Sequence, residues 1–154
     1  MSELQGLDVA AVVEMNVDLC AETGENPVLL DAEGLDAALS RPWSGFGDHE
    51  AFPTMYEKAA ALLHGIASRQ VFENGNKRTA WVAALTLLEL NGIDIGRVET
   101  VQSDMFVRAV ALDHSLDVAD IAEWFQVAHE HHRSGEAGSR PEPAGPGPTE
   151  DAAD

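Results

Sequence analysis

A chain of 154 residues with 45% apolar content is long enough to bury the core of one domain. Its formal charge of −18, from 27 acidic and nine basic residues, sets its surface against phosphate backbones and anionic bilayers. Nucleic-acid and membrane-surface binding are therefore not expected, whereas a basic protein partner or simple solubility fits.

The periodicity is helical along most of the chain. Leu7, Ala11, Val12, Met15, Leu19 and Cys20 recur at three- and four-residue spacings and stop at Thr23-Gly24, which predicts a first helix. Cys20 lies on its apolar stripe as a small hydrophobe and, being the single cysteine, excludes an intramolecular disulfide. Asp31 is placed to cap a short second helix carrying Leu35, Ala38 and Leu39, which Pro42 ends. The segment PWSGFGDHEAF reads as a folded-back surface loop. Pro53 suits the first turn of a third helix, with Met55, Ala59, Leu62, Leu63 and Ile66 on one side.

The stretch TAWVAALTLLEL is apolar on nearly every side, so it predicts a fourth helix at the centre of a bundle, closed by Asn91-Gly92. IDIG, residues 93–96, is the one stretch expected to pair even briefly as a strand. A fifth helix, around Val101 to Leu112, presents Met105, Phe106, Ala109 and Val110. The sixth begins near Asp117, with Asp120 in a variant of the capping box, and carries Val118, Ile121, Trp124, Phe125 and Ala128. The last 21 residues hold five acids against one base, are rich in Pro and Gly and show no apolar period. Such a segment cannot bury enough surface to offset the entropy of ordering, so it is expected to stay disordered. The expectation is an all-α bundle of about six helices over residues 1–133, followed by a disordered acidic tail over 134–154. The N-terminus MSELQGLD has no basic region ahead of an apolar run, so no signal peptide is expected and the location expected is cytoplasmic.

One string concentrates the chemistry. RQVFENGNKRTA, Arg69 to Ala80, holds three of the nine basic residues beside three amides and a glycine, where the fourth helix begins. Phe72, between polar neighbours, is expected to anchor the loop in the core. Gly75 permits a left-handed turn or a close backbone approach to a ligand. Asn76, Lys77 and Arg78 then fall where open amide N–H groups and the helix dipole attract phosphate. Lys77 adds a point charge and Arg78 a bidentate fork. The competing reading makes Lys77 and Arg78 solvated residues paired with acids on neighbouring helices, although cations there oppose the dipole. The P-loop pattern GxxxxGK[ST] is absent. His64 reads as structural, and His129, His131 and His132 read as a solvated helix end in preference to a metal site. His49 and His114 carry no assignment.

Lys58 to Gly92, with LDAALSRP and the aromatic loop upstream, resembles the Fic/Doc superfamily, specifically its death-on-curing branch. That family's motif is H-x-F-x-[D/E]-G-N-[G/K]-R. The resemblance implies a compact Fic-type helical bundle, with Phe72 as loop anchor, Gly75 and Asn76 as an anion nest, and Lys77 and Arg78 on nucleotide phosphates. Fic adenylyltransferases carry a further Arg where this chain has Trp81, which with Lys77 points to the Doc type. Doc-type toxins are kinases that use ATP and Mg²⁺ to phosphorylate a hydroxyl of translation elongation factor Tu, and a protein antitoxin restrains them.

Two positions of the motif depart from the family. Gln70 stands where the family has the histidine that takes the hydroxyl's proton, and glutamine does not titrate near neutral pH. Asn74 stands where the family has the metal-holding acid, and a neutral amide is a poorer ligand for a hard cation. Glu73, one residue early, is the weak candidate to replace it. Three functions follow: a Doc-like toxin component, a catalytically inactive Fic/Doc pseudoenzyme that binds nucleotide or protein, or a transferase with altered phosphate-containing substrate.

Overall fold

The computed structural model describes residues 3–98, 100–110 and 116–135. The first helix, α1 (Val9–Thr23), is capped by Asp8, whose carboxylate accepts from the Ala11 N–H at 2.9 Å. It stops at Gly24, which takes the left-handed conformation at φ 73°. Helix α2 (Ala32–Ser40) starts at Asp31, which accepts from the Gly34 N–H, and runs into a 3₁₀ turn at Arg41–Trp43. The stop at Gly24 and the cap at Asp31 sit where the sequence places them, whereas Asp8 was not singled out.

The following loop folds back as expected but contains the short strands β1 (Gly45–Phe46) and β2 (His49–Glu50), paired antiparallel around Gly47. Gly47 has φ 63°, which suits a two-residue hairpin turn. The IDIG stretch at 93–96, by contrast, forms no strand. The hairpin is tied down by Lys58, whose ammonium is buried and bonds Glu50 at 2.6 Å and the Phe52 carbonyl. The same ammonium lies 5.3 Å from the Trp43 ring centroid.

Helix α3 (Met55–Ala67) begins two residues after Pro53, which therefore lies just outside the helix and not in its first turn. Thr54 is the N-cap, and it exchanges side-chain and backbone bonds with Glu57 in a full capping box. Helix α4 (Asn76–Leu90) ends at Asn91, with Gly92 at φ 86°. It packs against α1, α3 and the fifth helix, as a central element should. The most enclosed helix is nevertheless α3, with nine of 13 residues buried against six of 15 in α4. The reason is its alanine-rich surface, which lets α2, α4 and the last helix approach closely on several sides.

Helix α5 (Thr100–Arg108) continues into a wider turn at Ala109–Val110. Leu112 and His114 lie outside the described residues. Helix α6 (Val118–Gly135) opens on reciprocal bonds between Asp117 and Asp120, the capping-box variant the sequence predicts. Its Ile121, Ala122 and Phe125 close the core against α3. The helix runs through Ser134 and Gly135; the rest of the expected tail, 136–154, lies outside the described residues. Among the described residues the architecture is thus all-α apart from one hairpin. Among the described residues no helix is long and apolar enough to cross a membrane.

Candidate functional site

The loop between α3 and α4 is held by backbone before any side chain acts. The Leu30 and Asp31 N–H groups both donate to the Val71 carbonyl, at 2.7 and 3.1 Å, and the Glu73 N–H donates to the Val28 carbonyl at 2.8 Å. Leu29 and Phe72 form an isolated antiparallel bridge between these bonds. Phe72 is 1% exposed, so the loop anchor lies where the sequence puts it. The Asn76 side chain closes the loop from the other end. Its Oδ1 accepts from the Phe72 N–H at 2.9 Å and its Nδ2 donates to the Phe72 carbonyl at 2.8 Å. The Asn76 side chain is thereby fixed in orientation, with one of its two Nδ2 hydrogens committed to the loop.

A buried residue that sequence reading passed over fixes the next step. Asn16 of α1 is 1% exposed and donates through Nδ2 to the Asn74 carbonyl at 2.8 Å and to Thr79 Oγ1 at 3.2 Å. Cys20, one turn on, is fully buried as expected, with Sγ 3.7 Å from the same Asn74 carbonyl. Gly75 passes directly over this pair at φ 78°. A Cβ there would sit 3.1 Å from Asn16 Nδ2 and 3.4 Å from Cys20 Sγ, in a conformation that L residues avoid. The signal for Asn16 was present in the sequence: it occupies the i+4 position between Val12 and Cys20, on the buried stripe.

Gly75 is also the N-cap of α4, so no side chain caps that helix, and its first turn holds no acid. Helices α1, α2, α3 and α6 by contrast start on the side chains of Asp8, Asp31, Thr54 and Asp117. Gly75 and the first-turn residues Asn76, Lys77 and Arg78 line a polar groove of about 510 Å³. Four of the chain's nine basic side chains, Arg69, Lys77, Arg78 and Arg108, line it. Gln70, Glu73 and Asn74 line it as well, so every motif position singled out in the sequence, except the core anchor Phe72, meets at this groove.

The cations are not equivalent. Arg78 donates to the Leu19 carbonyl at 3.1 Å and pairs with Glu25 at 2.8 Å. Thr23 donates to that same Glu25 oxygen at 2.8 Å. Arg78 is thus partly the structural ion-pair residue of the competing reading. Arg108 pairs with Asp104 one turn earlier on α5, at 3.3 Å. Lys77 makes no ion pair among the described residues. Asn74 lines the groove and donates through its Nδ2 to the Asn26 carbonyl at 3.1 Å. Gln70 is exposed at the groove. Glu25, Asp104 and Arg108 were not singled out in the sequence, because their placement depends on where α1 and α5 end in space.

Beyond Lys77, Arg78 and Asp104 lies a second cavity of about 420 Å³, lined mainly by Leu19, Trp81, Val82 and Val107. The histidines at the far end of the molecule are partly reassigned. His129 Nδ1 lies 2.6 Å from the Tyr56 hydroxyl and His132 lies 3.7 Å from Asp94, so the helix end is packed and not merely solvated. His64 lies 3.4 Å from Arg41, consistent with a structural part. Among the described residues no group of three or more His, Cys, Asp or Glu is placed to hold a metal.

Comparison with known proteins gives two findings. The profile of the Fic/DOC family matches residues 6–88, from the start of α1 to the end of α4. Toxin Doc of Mycolicibacterium smegmatis is 40% identical over 85 residues. That alignment covers 51% of this chain and 65% of the relative.

Proposed function

Because the chain belongs to the Fic/DOC family, on its death-on-curing branch, we propose that it is the toxin component of a toxin–antitoxin pair, acting in the cytoplasm. Its groove grips the phosphates of a nucleotide. The observation that carries this reading is the collection of four cations around the uncapped start of α4, in a chain of charge −18. Open N–H groups from Asn76 onward, the Lys77 ammonium and the Arg78 fork supply what phosphate oxygens require. The partners we propose are a protein antitoxin and, as target, a translation elongation factor.

Transfer of a phosphoryl group needs charge neutralisation, alignment and a proton acceptor. The groove supplies the first through Lys77, Arg78 and Arg69. Gln70 accepts a hydrogen bond from a target hydroxyl and orients it, yet leaves its proton in place. Loss of a general base costs about 10²- to 10⁴-fold in rate. Among the described residues magnesium, which the family reaction uses, finds no dedicated site: Asn74 is an amide bonded to Asn26, while Glu25 and Asp104 are held by Arg78 and Arg108. Glu73 alone does not make a site for a hard dication.

These two positions favour a second reading, in which the chain is a catalytically silent Fic/Doc protein that binds nucleotide or a protein partner. One experiment divides the two. The native chain and a Gln70→His/Asn74→Asp variant are incubated with labelled ATP, Mg²⁺ and elongation factor Tu, and nucleotide binding is followed by calorimetry. Slow label transfer by the native chain, raised about 100-fold or more in the variant, is the expected result. Transfer by the variant alone identifies the silent binder, and absence of nucleotide binding by both rejects the groove as a phosphate site.

A further inference from the structure

Residues 3–8, ahead of α1, have no regular structure, yet Gln5 is tied at both of its backbone groups. Its N–H donates to Asn91 Oδ1 at 2.8 Å, and its carbonyl accepts from Asn91 Nδ2 at 2.8 Å. One side-chain amide at the end of α4 thus pairs with this segment as a residue of a neighbouring strand would. The same Nδ2 donates to the Leu87 carbonyl at 2.9 Å, which fixes the amide to the helix it closes. Gly6 then lies against Trp43. A Cβ there would sit 3.1 Å from the indole Nε1 and 3.3 Å from Cε2 and Cζ2, so a side chain at this position requires the ring to give way.

Trp43 is in turn one wall around the buried Lys58 ammonium, which lies 5.3 Å from its ring centroid. An ammonium has three N–H donors. Glu50 and the Phe52 carbonyl take two of them, and the indole face meets the remaining charge. A cation taken this far out of water is stable only with its partners in place. The hairpin depends on it, because neither of its strands buries a residue and Phe46 is 88% exposed. We propose that residues 3–8 form a strap which, clasped at Gln5, presses Trp43 onto Lys58 and so sets how firmly the hairpin at 45–50 is docked. When the strap lifts, the indole turns away, water reaches the ammonium, and the two bonds that hold the hairpin weaken. None of these residues lines the groove or the apolar cavity, so the strap works independently of phosphate binding. Gln5 and Asn91, the two halves of the clasp, lie outside the residues 6–88 that match the family profile.

The test is amide hydrogen exchange of the full chain, followed by NMR at the Ala51 N–H, which donates to the Ser44 carbonyl across the neck of the hairpin at 3.0 Å. Gly6→Val should speed that exchange about tenfold, as loss of one buried cation–π contact would, and leave the core amides of α3 and α4 as they are. In a Trp43→Leu chain, where the same amide already exchanges fast, adding Gly6→Val should change nothing further. If Gly6→Val prevents folding, which a thermal melt reports, Gly6→Ala makes the same comparison with the Cβ alone. Unchanged exchange at Ala51 in a folded Gly6 variant overturns the inference. An acceleration that persists undiminished in the Trp43→Leu chain also overturns it, since the strap then acts by another route. So does a rise of equal size in the α3 and α4 amides, because the whole domain has then loosened.

Discussion

Asn16 shows how far one buried amide reaches. Its two N–H donors satisfy the Asn74 carbonyl and Thr79 Oγ1, and thereby set the height of Gly75 and the start of α4. Asn16→Leu keeps the branching but removes both donors, leaving Thr79 Oγ1 without its partner and the Asn74 carbonyl with the weak Cys20 thiol. The expected loss of stability is about 1–3 kcal/mol, read from urea denaturation, with weaker nucleotide binding as the loop shifts. Unchanged stability and unchanged binding would show that the loop is set by its backbone bonds to residues 28–31 alone. Gln70 and Asn74 were legible as departures from the motif, since they need only the register of the string. That Arg78 divides itself between Glu25, the Leu19 carbonyl and the groove was not legible, because its partners come from 53 and 59 residues away.

At the scale of elements, helix starts were read well because caps are local. Asp31 and the Asp117/Asp120 pair act within three residues of themselves. The backbone N–H of Asp120 holds the Asp117 carboxyl below its ordinary range. A lowered folded-state value means that its contribution is present above the unfolded value, near pH 4, and is lost as pH falls through the folded one. Asp117→Asn keeps a good capping side chain but no charge. The variant should therefore show a flatter fall in melting temperature between about pH 4 and pH 2 than the native chain. Parallel acid limbs would show that the cap works by hydrogen bonding with no ionic part. The hairpin at 45–50 escaped the sequence reading because two-residue strands have no alternation to detect. Its anchor, buried Lys58, looked like any helix-surface lysine until Glu50, Phe52 and Trp43 closed around it.

For the whole molecule, the family match ends at residue 88, yet the core does not. Ile121 and Phe125 of α6 are fully buried against α3, and Val107 and Val110 after α4 join them. A chain ending at Leu116 should therefore fail to fold cooperatively, whereas one ending at Gly135 should keep the full-length melting temperature. Retention of a sharp thermal transition without α6 would show that α1 to α5 make an autonomous core. A lower melting temperature for the chain ending at Gly135 would give residues 136–154 a part in stability.

What the sequence determined by itself was the helical class, most helix boundaries, the cationic start of α4 and the two changed motif positions. Each depends on spacing along the chain, which short-range hydrogen bonding and the 3.6-residue period translate directly into structure. Tertiary structure alone decided which cations share a groove, which acids restrain them, and that an apolar cavity opens beside it. Those outcomes depend on how α1, α4 and α5 pack, and helix packing brings together residues that no local pattern connects.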